Sequence, residues 1–151
     1  MNALELLIYL TEKQVDRVFE VARRLPAEKL DWKPAPGARS ALCQLQEIAT
    51  ALPEFWPMFT ERKMEWDGAQ FERWMTERAK ITSLDELEAI TKKNTQLLVE
   101  FIKASDANDL TAPVQMPFPG EFNVADILSY HYWNAAYHEG QIMYIASLIE
   151  A

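Results

Sequence analysis

Two histidines, His131 and His138, stand seven residues apart in the stretch Tyr130-His131-Tyr132-Trp133-Asn134-Ala135-Ala136-Tyr137-His138-Glu139-Gly140-Gln141, and the chain has no others. A helix turns about 100° per residue, so His131, Asn134 and His138 share a stripe roughly 60° wide. Val124, Ile127, Ile142, Ile145 and Ile149 continue that stripe as an apolar face. Two imidazoles and a carboxamide therefore point where a core should be, and buried polar groups need partners. The partner is either a metal ion or the protein itself. The two histidines do not make a pair for one ion. At about 1.5 Å rise per residue their backbones lie roughly 10 Å apart, whereas helical ligand pairs use i, i+3 or i, i+4 spacing. His131 reads as a satisfied core or interface histidine.

Other chemistries are poorly provided for. There is no G-x-S-x-G, P-loop or G-x-G-x-x-G, and four glycines do not build a phosphate-cradling loop. Two histidines leave little room for a hydrolase triad. The single cysteine, Cys43, has no cationic neighbour placed by the local sequence, so it reads as a buried structural thiol. It allows no intramolecular disulfide and fits a reducing, cytoplasmic setting. A net charge of -8 opposes binding to a nucleic-acid backbone. The opening Met1-Asn2-Ala3-Leu4-Glu5 lacks the basic region of a signal peptide, and no apolar run approaches the roughly 20 residues of a membrane span.

The elements that position these residues are helical. The chain of 151 residues fits one domain, residues 1–151. Asn2 and Glu5 suggest a capping box for a first helix reaching about Leu25, with Leu4, Leu7, Ile8, Val15, Val18 and Ala22 on its stripe. Pro34, Pro36 and Gly37 mark a loop. Ser40 can cap a second helix bearing Leu42, Leu45, Ile48, Ala49 and Leu52, which Pro53 should kink or end. An aromatic group follows (Phe55, Trp56, Phe59, Trp66, Phe71 and Trp74) with a short helix from about Gln70 to Arg78. Ser83 and Glu86 suggest a second capping box, before the stripe Leu84, Leu87, Ile90, Leu97, Leu98, Phe101 and Ile102. Residues 107–122, with Pro113, Pro117, Pro119 and Gly120, read as a crossing loop, and Asn123 caps the last helix. No strand pattern stands out. Four long helices with one stripe each predict an all-α bundle.

Three passages carry a resemblance to a known family. They are Leu30-Asp31-Trp32-Lys33-Pro34-Ala35-Pro36-Gly37-Ala38-Arg39-Ser40, Asn108-Asp109-Leu110-Thr111-Ala112-Pro113-Val114, and His138-Glu139-Gly140-Gln141. The chain resembles the DinB-like four-helix bundles, whose last helix carries an H-x-x-x-H-R-G-Q signature. The resemblance implies a divalent metal, often nickel or zinc, held by three histidines, and in some members transfer of a low-molecular-weight thiol to an electrophile. Carried over residue by residue, His138 matches the second histidine of the final pair, Asn134 stands at the first, and Glu47 stands at the histidine of the second helix. Glu139 replaces the signature arginine.

The candidate metal ligands are thus Glu47, Asn134 and His138. A carboxylate and an imidazole suit zinc, nickel, iron or manganese, whereas a carboxamide contributes little to zinc or nickel. The alternative is a hydrogen-bonded polar cluster of the same three residues without tightly bound metal. Two functions follow: a small-molecule-binding or interaction protein with a degenerate metal site, or a divalent-metal-dependent enzyme such as a thiol S-transferase or a hydrolase of a small electrophile. The aromatic group at residues 55–74 could line a pocket, although core or subunit interface is the commoner use of such residues. Tyr130, Tyr132, Trp133, Tyr137 and Tyr144 exceed what one stripe can bury, which suits a homodimer.

Overall fold

Asn2 opens the first helix with a reciprocal cap: its side chain accepts from the Glu5 amide and the Glu5 carboxylate accepts from the Asn2 amide, each at 2.9 Å. The computed structural model describes residues 1–150. Helix α1 runs Ala3–Ala22. It stops short of Leu25 because Arg24 and Leu25 bond three residues back in a tight turn before Pro26. Ser40 caps α2, Ala41–Glu54, by accepting from the Cys43 amide. Pro53 sits in the final turn of α2, and the helix ends one residue after it. The four-residue α3, Pro57–Thr60, follows, and then α4, Gly68–Arg78, capped by Asp67. Ser83 caps α5, Leu84–Lys103. Asn123 and Asp126 form a reciprocal cap at the start of α6, Val124–Glu150.

The fold is all-α. Its four long helices, α1, α2, α5 and α6, pack so that α1 and α2 each lie against both α5 and α6. One addition escaped the sequence pattern. Strands β1, Pro113–Val114, and β2, Phe122–Asn123, pair antiparallel within the crossing loop. Two residues per strand are too few to show an alternating pattern.

The core comes in two apolar clusters. One gathers Val18, Phe19, Leu45, Ile48, Leu87 and Ile142, and the other Leu52, Phe59, Leu98, Ile102, Ile127 and Leu128. Between them along the helices fall the buried polar residues Thr11, Thr91, Thr95, His131 and Asn134. Each threonine returns its hydroxyl proton to a carbonyl one turn back on its own helix. The Thr95 oxygen thereby stays free to accept from His131 Nε2, at 3.0 Å.

Candidate functional site

Helices α2 and α6 bring the principal polar side chains together. Gln44 and Glu47 lie one turn apart on α2, and His138 and Gln141 one turn apart on α6. His138, 1% exposed, has Nε2 at 3.1 Å from Glu47 Oε1. Its Nδ1 faces Gln44 Oε1 at 2.9 Å and Gln141 Oε1 at 3.2 Å. A proton on Nε2 meets the carboxylate, and a proton on Nδ1 meets the two amide oxygens. The imidazole is thus fixed on both sides.

Two arginines from other elements complete the cluster. Arg39, in the loop before α2, donates to Glu47 Oε2 at 2.6 Å. Arg78, in the last turn of α4 and 3% exposed, lies 3.5 Å from the same oxygen and 4.2 Å over the Trp74 ring. Burial pushes the Glu47 carboxyl upward, but the His138 hydrogen bond and the Arg39 guanidinium more than reverse this and hold it at about 2. Burial pushes the Arg78 guanidinium below its usual value despite Glu47. The Tyr130 hydroxyl is pushed up to about 12, first by burial and then by the Glu47 charge.

The other candidates lie differently. Asn134 is buried in the interior, but its Nδ2 has no hydrogen-bond partner, and the glutamines Gln44 and Gln141 take the place beside His138 that the sequence reading gave it. His131 belongs to the polar layer, where burial pushes it down to about 4. Cys43 does have a cationic neighbour, since Arg78 approaches its Sγ to 3.9 Å. Glu139 turns to α1, accepting from Gln14 and from Arg17, whose Nη2 lies at 2.9 Å. Gln141 was legible as part of the signature-like run. Arg39 stands in the loop that carries the resemblance but was given no role there, and Arg78 gave no local signal, because a charge pair between distant elements leaves no periodicity.

A divalent ion does not suit these residues. Glu47 already faces two guanidinium groups, so the carboxylate and its cationic partners sum to a positive charge before an ion arrives. Among the described residues no three His, Cys, Asp or Glu side chains come together as a ligand set.

Glu47 also reaches the wall of a cleft of about 630 Å³. The cleft runs between α2, α4, α6 and the crossing loop, and its walls carry Phe55, Trp66, Phe71, Trp74, Phe122, Tyr130 and Trp133. Met58, Met64 and Met116 add flexible apolar surface. The rings pack on one another, Phe55 edge to face with Trp74 at 5.0 Å and Trp66 tilted against Phe71 at 4.9 Å.

The chain is thus an all-α protein whose buried imidazole meets a half-buried carboxylate beside an aromatic cleft. The DinB superfamily model matches residues 10–142, and the chain belongs to that superfamily. Solved structures share the fold. A DinB-like protein from Bacillus subtilis is 15% identical with a TM-score of 0.65, covering 96% of this chain and 92% of its own. A DinB-like protein from Bacillus cereus is 19% identical with a TM-score of 0.64, covering 91% and 86%. The colibactin self-resistance protein ClbS, solved in complex with double-stranded DNA, is 14% identical with a TM-score of 0.64, covering 92% of each chain. No curated protein matches the sequence. No described helix is long and apolar enough to cross a membrane.

Proposed function

We propose that this chain binds a small molecule in the aromatic cleft, and that the metal site implied by the family has become the carboxylate, imidazole and guanidinium network at its wall. The carrying observation is the cleft itself, about 630 Å³ and within the range of ligand sites, reaching the one side chain it shares with the buried cluster, Glu47. The metal-dependent enzyme needs an ion at a carboxylate already matched by Arg39 and Arg78, so binding is the better supported reading. Three tryptophans line the cleft and report on it directly. Titration with uncharged and charged naphthyl compounds should quench or shift their emission. No response to any of them, with calorimetry also silent, would remove the proposal.

Two partner readings accompany it. ClbS was solved on DNA, but here the net charge of -8 and the absence of any Lys or Arg from the cleft wall oppose a phosphate backbone. A labelled duplex should show no mobility shift at physiological salt. A homodimer is supported by apolar surface on α6, where Tyr137, Met143, Tyr144 and Leu148 are exposed. Sedimentation showing only a 17.4 kDa species at micromolar concentration would contradict the dimer.

A further inference from the structure

We infer that the ligand class of this cleft is a lipophilic organic cation, an amine or quaternary ammonium group carried on an aromatic or aliphatic body. The inference rests on the binding reading above and specifies its chemistry. No arginine or lysine lines the cleft; its charged lining is Asp126 and Glu47, the latter held from behind by Arg39 and Arg78. Glu47 is matched by Arg39, but Asp126 has only the Asn123 backbone amide as partner, at 2.9 Å. Along α6, Asp126, Tyr130 and Trp133 stand at helical spacing, so one face offers a carboxylate beside two rings whose centroids lie 6.3 Å apart. Ring faces attract cations, and most strongly those that shed water easily, as alkylated ammonium groups do.

A second cavity supports the same sign. A cleft of about 220 Å³ shares Phe55, Met58, Met64, Trp66 and Phe71 with the larger one and so abuts it. Its charged lining is Glu54, Glu61, Glu65 and Asp67, against Lys63 alone, and Lys63 is paired with Glu65 at 2.6 Å. The rim shared by the two cavities is thus acidic and would raise the local concentration of a cationic ligand. The rings at the mouth are accessible, Trp66 being 54% and Trp133 57% exposed. Arg39 and Arg78 outweigh Glu47 by one charge at the inner end of the cleft, so the cation belongs at Asp126 and the shared rim, where four carboxylates outnumber Lys63 by three.

Calorimetric titration of the full chain with three matched compounds tests the inference. They are naphthylmethyl-trimethylammonium, its uncharged carbon isostere neopentylnaphthalene, and naphthylmethanesulfonate. The cation should bind about tenfold tighter than the carbon isostere, and the sulfonate weakest. Asp126→Asn, which keeps an oxygen for the Asn123 amide, should weaken the cation by about three- to fivefold and leave the isostere unchanged. Trp133→Leu, at a side chain 57% exposed, should also lower the preference for the cation. Equal or tighter binding of the isostere or the sulfonate overturns the cation inference and leaves the binding site standing. If none of the three binds, both fall.

Discussion

Glu47 is the residue on which the buried charges converge. Replacing it with alanine leaves Arg78 enclosed without a counter-charge, and removing one partner of a buried pair costs about 3–5 kcal/mol. Urea unfolding of Glu47→Ala should therefore show a large loss, whereas Arg39→Ala, at a half-exposed guanidinium, should show a much smaller one. The same cluster governs metal affinity. Untagged protein should carry no stoichiometric zinc or nickel after dialysis, and the pair Glu47→His with Asn134→His should raise affinity for both ions. Elemental analysis reads the first result and calorimetry the second. His131 sets a separate acid sensitivity. Its folded value of about 4 lies below the ordinary 6.5, so between those limits the unfolded chain holds more protons and stability falls as pH falls. That difference amounts to about 3 kcal/mol. Chemical denaturation across pH 7 to 4 should show the slope in the natural chain and lose it in His131→Gln. The Glu47 contribution fades lower, as pH falls from 4.5 toward 2.

At the level of helices, caps and stripes carried most of the information. Asn2, Ser40, Ser83 and Asn123 each sit at a helix start, and the apolar stripes of α1, α2, α5 and α6 fill the two core clusters. The pairing of β1 with β2 was not legible, being too short for a period. The site was legible only in part. The family resemblance set Glu47 against His138, and the two side chains touch, but the role of that contact stays a proposal. The glutamine partners, Arg78 and the cleft depend on packing between elements far apart in sequence. Helix α4 shows how such dependence works. Asp67 accepts from the Ala69 and Gln70 amides, and α4 then delivers Phe71 and Trp74 to the cleft and Arg78 to Glu47. Asp67→Ala should cost about 1 kcal/mol of stability. It should also weaken binding of the uncharged neopentylnaphthalene, whose affinity does not depend on the Asp67 charge, as fluorescence titration would show.

Across the whole molecule, the two faces of α6 do different work. Glu139 holds one face to α1 through Gln14 and Arg17, while His138 and Gln141 hold the cluster on the α2 side. The family signature has arginine where Glu139 stands, so here the cation of that interface resides on α1. Glu139→Arg should destabilise the fold by setting two guanidinium groups together, and Arg17→Glu in the same chain should restore part of the loss in thermal unfolding. Two loops of the cleft wall are tied to each other. The loop after α3 and the crossing loop hold each other through Met64 N to Gln115 O at 2.8 Å and Gln115 N to Arg62 O at 2.9 Å. The same loops bear Met64, Trp66, Met116 and Phe118 of the cleft wall. Two backbone bonds thus fix the spacing of four wall side chains that the sequence places about fifty residues apart. Substitutions that loosen this tie should let the walls drift and weaken naphthyl binding in fluorescence titration while leaving the helix content unchanged by circular dichroism.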